Sequence, residues 1–244
     1  MKSVMTSMAF TGDRMMKKIS IWTVAGLLGL SSFAAMADFT GNIGASTNYV
    51  FRGVSLSGNG AQISGGLDYS HSSGIYAGTW VSNISGAYEW DLYGGYSGEY
   101  QGVGYDVGYL YYKYPALHDA DYGEVYGSVS YKWFTAGVAY TVNSQVKKSP
   151  LSQDLFIPGD IYYYGKASYD LGNDWSVGGT IGYYDFKEDN FAGVKASYVH
   201  GQIDLTKSVG KFGDFTASLS YAQKAPASGA TGDLLPFISW SKSF

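Results

Sequence analysis

"VGYDVGYLY", residues 103–111, alternates without a break. Val103, Tyr105, Val107, Tyr109 and Tyr111 fall on one side of an extended chain; Gly104, Asp106, Gly108 and Leu110 fall on the other. A period of two marks a β-strand with two unlike faces. Here the large face is apolar and aromatic, while the small face carries glycine and a carboxylate. "EVYGSVSYKW", residues 124–133, repeats the pattern, with Val125, Val129, Tyr131 and Trp133 opposite Glu124, Ser128, Ser130 and Lys132. "IYYYGKASYD", residues 161–170, sets Ile161, Tyr163, Ala167 and Tyr169 against Lys166, Ser168 and Asp170.

Outward from these stretches, twelve such segments cover 39–53, 61–71, 75–84, 89–97, 103–114, 123–132, 134–143, 161–170, 175–186, 198–207, 215–224 and 234–244. A tilted membrane-spanning strand needs about 9–11 residues, which these lengths supply. Short connections near 72–74, 98–102, 133, 171–174 and 208–214 carry turn chemistry such as "SSG" and "LGND". They alternate with longer ones at 54–60, 115–122, 144–160, 187–197 and 225–233; the connection at 85–88 is the exception. Even strand number, short turns at one end and long loops at the other describe an outer-membrane barrel. The expected fold is therefore all-β: a single antiparallel transmembrane β-barrel of about twelve strands, with both termini on the periplasmic side.

Composition agrees. The chain has 34 glycines and 24 tyrosines but no cysteine, and 15% of its residues are charged. Soluble domains average about 25% charged residues. Glycine in every window argues against helices of useful length. Phe39, Phe134, Trp175 and Phe215 open strands at the short-turn side, and Trp133 and Phe244 close strands there. Tyr111, Tyr140, Tyr183 and Tyr221 lie towards the long loops. Two aromatic girdles are what a barrel needs at its membrane interfaces. A soluble sandwich also alternates, but it does not combine this tyrosine content with an apolar outward face and a terminal aromatic.

Both ends of the chain carry processing signals. Residues 15–37 read as a secretory signal peptide, with Lys17 and Lys18 before an apolar stretch and Ala35-Met36-Ala37 as the cleavage site. This predicts a domain division into residues 1–37, removed on export, and a barrel over 38–244. Met15 or Met16 is a plausible true start. Residues 1–37 hold four of the sixteen bases (Lys2, Arg14, Lys17, Lys18) and one of the twenty acids (Asp13). The remainder has twelve and nineteen, a net charge of −7. Such a balance argues against a nucleic-acid partner. At the other end "FISWSKSF", residues 237–244, places Phe244, Trp240 and Ile238 at one parity. This is similar to the terminal signal read by bacterial barrel-assembly machinery, with Lys242 departing from the usual apolar choice. Expected partners are outer-membrane lipid and lipopolysaccharide, periplasmic chaperones and assembly machinery during biogenesis, and small solutes or ions. Lys147 and Lys148 in the longest loop are candidates to meet lipopolysaccharide.

The inward parity supplies the candidate functional residues: Arg52, Asp68, Glu89, Asp91, Asp106, Glu124, Lys132, Lys166, Asp170 and Asp204. Carboxylates outnumber bases among them, and fixed charge of one sign sets ion preference in a narrow pore. Two readings stay open: a narrow, mildly cation-preferring pore, and a structural or adhesive barrel whose charges pair and close the lumen. Barrels near this size sit between filled and water-filled interiors. Arg52, in "NYVFRGVSLSGNG" (48–60), is the only arginine after Arg14. Continued strand parity turns Tyr49 and Phe51 to lipid and Arg52 inward. There its planar fork suits a carboxylate, with Asp68, Glu89 or Asp91 as the expected partner.

Enzymatic readings are weak. His71, His118 and His200 are the only histidines, no G-x-S-x-G elbow exists, and nothing brings nucleophile, base and orienter together. The acid-rich loops "HDADYGE" (118–124) and "DFKEDN" (185–190) lack any defined calcium-loop spacing. No enzyme activity and no cofactor are expected.

The run "GASTNYVFRGVSLSGNGAQISGGLDYSHSSGIYAGTWVSNIS", residues 44–85, resembles the opening of the TorF-type porins, a bacterial family of unknown function also labelled Gcw_chp. The matching features are Asn48, Tyr49, Phe51, Arg52, Gly53 and Ser55, then Gln62, Gly65 and Asp68, then Gly74 to Asn83. The resemblance implies an outer-membrane barrel with pore activity and no defined substrate.

Overall fold

The computed structural model describes residues 38–146, 154–191 and 193–244. The expected signal peptide and the pair Lys147 and Lys148 lie outside them. In chain order the strands are β1 (Asp38–Ser46), β2 (Val50–Phe51), β3 (Val54–Ser55), β4 (Gln62–Ser70), β5 (Ile75–Ile84), β6 (Ala87–Tyr100), β7 (Val103–Lys113) and β8 (Tyr122–Tyr131). They continue as β9 (Phe134–Ser144), β10 (Ile161–Gly172), β11 (Trp175–Asp185), β12 (Asn190–Phe191), β13 (Val194–Lys195), β14 (Tyr198–Ser208), β15 (Asp214–Ala222) and β16 (Leu234–Ser243). The twelve long strands form one closed antiparallel barrel in which β1 pairs with β4 on one side and β16 on the other. The two-residue pairs β2–β3 and β12–β13 stand apart from it.

Alternation has the consequence read from residues 103–111. Val103, Tyr105, Val107 and Tyr109 are exposed on the outside, and Leu110 is buried inside. Ile63, Leu67, Val129, Ile181, Ile203 and Ile238 share the exposed outer surface, whereas Glu89, Asp91, Glu124, Thr141 and Ser220 are buried. Apolar outside and polar inside inverts a soluble core and is the distribution a membrane-spanning barrel requires.

The short connections are tight turns matched to strand twist. Gln101-Gly102 and Asn173-Asp174 each place two successive residues at positive φ, the geometry of the favoured two-residue hairpin. The C-terminus closes the sheet. Gly41 and Phe244 exchange two backbone hydrogen bonds of 2.9 Å, extending the β1–β16 ladder by one residue pair. The Phe244 ring lies so close over Gly41 that a Cβ there would stand 2.7 Å from it.

Glycine and tyrosine are spent on one device. Inside the barrel, Tyr93 lies over its register partner Gly78, Tyr76 over Gly95, Tyr126 over Gly108 and Tyr164 over Gly137. A ring laid across a strand glycine restores the packing that the missing side chain forfeits. In one row, Tyr76 and Tyr126 lean towards each other over Gly95 and Gly108 and join hydroxyl to hydroxyl. The tyrosines thus line the wall rather than crossing the lumen.

One boundary differs from expectation. The first strand ends at Ser46 instead of running to residue 53. Its neighbour β4 starts at Gln62, paired with Ser46, so the chain beyond loses its β4 partner and keeps the Thr47 N–H bond to the Ile238 carbonyl of β16, at 2.9 Å. It turns into the barrel instead, where Ser46 Oγ donates to the Asn48 carbonyl at 2.7 Å. Tyr49 and Phe51 consequently do not face lipid. Both are buried, 6% and 7% exposed, in an aromatic cluster with Tyr112 and Tyr122.

Candidate functional site: a lumenal hairpin and its aromatic clasp

Residues 48–59 form a hairpin inside the barrel. Val50 pairs with Ser55 and Phe51 with Val54. The two-residue turn between them is Arg52-Gly53, at φ 48° and 86°. An L-residue at positive φ is strained by roughly 1–2 kcal/mol, so Arg52 must be held by its surroundings. Gly53 presses against β14 and β15, where a Cβ would meet His200 Cβ at 2.6 Å and Ala222 Cβ at 3.0 Å. The base of the hairpin is tied by Asn48. Its Oδ1 accepts from the hydroxyls of Ser55 (2.6 Å) and Ser57 (3.1 Å), and its Nδ2 donates to Asn59 Oδ1 at 2.9 Å.

At the tip, Arg52 Nη1 donates to Glu124 Oε1 at 2.9 Å and Nη2 to Oε2 at 2.6 Å. Both side chains are buried. The guanidinium carbon lies 4.2 Å from the Tyr162 ring centroid, 4.7 Å from Phe51 and 5.1 Å from Tyr184. Tyr112 Oη accepts from Nη2 at 3.3 Å and donates to Glu124 Oε2 at 3.1 Å. A planar fork, a carboxylate and ring faces are the combination that holds a desolvated guanidinium. The partner expected from sequence is Asp68, Glu89 or Asp91; Glu124 is the residue that the hairpin's reach selects.

Aromatic packing continues from the clasp. Tyr122 stacks on Tyr112 at 4.4 Å, Phe156 on Tyr122 at 4.8 Å, and Phe186 on Tyr184 at 4.1 Å. Phe156 comes from the loop before β10. Asp160 secures that loop: its carboxylate accepts the N–H of Ile157 at 3.0 Å and of Lys187 at 2.9 Å. Burial raises the Asp160 carboxyl above its ordinary range, opposed by these backbone donors.

The other candidates divide. Glu89 is buried and accepts from the hydroxyls of Tyr49 and Tyr114, each at 2.6 Å. Asp91 is fully buried, and neither carboxylate oxygen is hydrogen-bonded among the described residues. Asp68 accepts from Asn42 Nδ2 at 3.0 Å and from Tyr93, and Asp106 from Tyr76 at 2.6 Å. Lys166 lies over the Tyr164 ring at 4.8 Å. Asp204 accepts from Gln202 at 2.8 Å and Ser218 at 2.6 Å. One candidate lies in a turn and one near the end of its strand. Lys132 is the first residue of the β8–β9 turn, exposed, at φ 55°. Asp170 is exposed beside the bulge that ends β10, where it accepts the N–H of Gly172 at 2.7 Å. Parity fails for Lys132 because β8 ends at Tyr131, whereas Asp170 keeps its register with Ser176.

Sequence reasoning missed Tyr112, Tyr162 and Tyr184. Each sits beside a lipid-facing tyrosine in a Tyr-Tyr pair, and only the pairing itself signals that one ring must turn inward. Beside the hairpin a small open cavity of about 90 Å³ remains, lined among others by Arg52, Tyr162, Lys166, His200, Gln202 and Asp204. Among the described residues no group of three or more His, Asp or Glu is placed to hold a metal ion.

Comparison with known proteins places this architecture. A KdgM porin superimposes with a TM-score of 0.56 at 7% identity, covering 84% of this chain and 98% of the porin. A KdgM porin in complex with disordered oligogalacturonate gives 0.54 at 6% identity, covering 85% and 98%. A NanC porin gives 0.53 at 12% identity, covering 84% and 98%. At such identities the likeness is one of fold. No curated protein matches the sequence. The family model described as bacterial protein of unknown function, Gcw_chp, matches residues 32–232, and the chain belongs to that family.

Proposed function

We propose that the protein is a porin-like channel of the bacterial outer membrane that passes small solutes or ions passively, with a mild preference for cations and with both termini in the periplasm. One observation carries the reading: inside an apolar-walled closed barrel, Asp68, Glu89, Asp91, Asp106, Glu124 and Asp204 outnumber Arg52 and Lys166. Arg52 forms its ion pair with Glu124, and the remaining carboxylates outnumber Lys166 and bias the lumen towards cations. The fold shared with KdgM and NanC porins and the stretch 44–85 that resembles the TorF-type porins support the porin-like part of the reading. The hairpin narrows the lumen, which keeps the passage small. Phe244, clamped over Gly41, and Trp240 on β16 fit a terminal strand read by barrel-assembly machinery. Planar-bilayer recording under a salt gradient tests the proposal. Discrete current steps with a reversal potential of cationic sign support it, and an anionic sign removes the stated preference.

A second reading is a structural or adhesive barrel with a closed lumen. The observation that favours it is the clasp itself: hairpin, buried ion pair and stacked rings fill the lumen at the level of Glu124. Purified protein that inserts into bilayers and passes no current supports this reading over the first.

A further inference from the structure

We propose that the wall around Arg52 is a recognition site for a guanidinium group, filled in the resting protein by the hairpin's own side chain, and that a small solute bearing a guanidinium group opens the lumen by taking that place. The opening step rests on the channel reading above; the recognition site does not.

Four residues of the wall define the site without the hairpin. Glu124 offers both carboxylate oxygens, at 2.9 and 2.6 Å from the guanidinium nitrogens. Tyr112 offers a hydroxyl oxygen at 3.3 Å. Tyr162 and Tyr184 present ring faces at 4.2 and 5.1 Å. Each aromatic is fixed by a neighbour other than Arg52: Tyr112 by Tyr122, Tyr184 by Phe186, and Tyr162 by stacking on Tyr164 at 5.6 Å and His200 at 5.7 Å. The site is therefore preformed on strands β7, β8, β10 and β11. Its chemistry is selective. A two-pronged planar cation matches both oxygens at once, whereas an ammonium offers a point charge and no fork.

Access comes from the cavity beside the hairpin, which Arg52, Tyr162 and Lys166 help to line. A solute there reaches the guanidinium without crossing the aromatic packing above it. The tip is the part such a solute would free. The base keeps its Asn48 network, and the stem keeps the Tyr49 to Glu89 hydrogen bond of 2.6 Å. Displacing Arg52 removes the two charged contacts that hold the strained turn across the lumen.

Arg52→Ala in the full barrel, with methylguanidinium as the probe, tests the site. Millimolar methylguanidinium is expected to raise the midpoint of thermal unfolding of Arg52→Ala by roughly 2–4 °C, and to leave Arg52→Ala/Glu124→Gln unmoved. If Arg52→Ala does not refold alone, its refolding yield with and without methylguanidinium reads the same property. No response in either assay overturns the site. In bilayers, methylguanidinium is expected to raise the wild-type current while tetramethylammonium at equal concentration does not. A stability response without a rise in a measurable current overturns the opening step. A stability response with no current from either protein overturns the channel reading and leaves the site standing.

Discussion

Arg52 reaches across the barrel to Glu124 and grips both of its carboxylate oxygens, at 2.9 and 2.6 Å, with each side chain shut off from water. Charges removed from water on both sides of a pair depend on each other: take one away and the other is left without compensation. Glu124→Ala is therefore expected to destabilise the barrel by about 3–5 kcal/mol. Arg52→Lys, which keeps the charge and loses the fork, should lie between wild type and Glu124→Ala. Urea unfolding in detergent, followed by tryptophan fluorescence, measures both.

Tyrosine over glycine makes a separate prediction. Gly78 lies under the Tyr93 ring, where a Cβ would come within 2.4 Å of it. Gly78→Ala forces the ring off the wall and strains its hydrogen bond to Asp68. A loss of about 1–3 kcal/mol is expected, the usual effect of overpacking. Gly127→Ala, whose nearest neighbour would be 3.7 Å away, should be close to neutral by the same unfolding measurement.

Much of the barrel is legible in the amino-acid pattern. All twelve long strands lie where period-two alternation puts them, because a barrel wall must turn alternate side chains to opposite faces. Arg52 is legible as inward, but the route it takes is not. Continuing β1 by parity sends Phe51 to lipid, but the β4 partner ends at Gln62 and the chain beyond Ser46 turns inward. "VFRGVS" does carry the turn signal, since Gly53 tolerates positive φ, but Arg52 beside it masks the signal. Lys132 shows the complementary limit, as strand parity has no meaning in a turn. Glu124 could not be chosen over Glu89 or Asp91, because its selection depends on how far the hairpin extends.

The C-terminal clamp predicts an assembly defect. Phe244 holds Gly41 by two backbone hydrogen bonds and covers it with its ring. Deleting Phe244 removes those bonds and the ring at the seam between first and last strands. Refolding into detergent should slow and leave more heat-unmodified protein on gels, whereas Phe244→Tyr, which keeps ring and backbone, should refold as wild type.

Asp160 predicts a pH response with a defined sign. Its carboxyl is raised in the folded protein by burial. A raised acid favours the folded state when protonated, so its contribution is fully present below the unfolded value of about 3.9 and is lost as pH rises through the folded value. Wild type should lose thermal stability over that interval, and Asp160→Asn should lose less. An equal slope in both proteins would remove Asp160 as the source.

On the proposed channel reading, the hairpin at 48–59 sets the aperture of the lumen. The most direct measurement is the single-channel step in planar bilayers for wild type and for a variant with Tyr49–Leu56 replaced by a short glycine linker. A larger step in the shortened variant, with the cationic sign of the reversal potential retained, is the predicted result. Steps of equal size in the two proteins would contradict it.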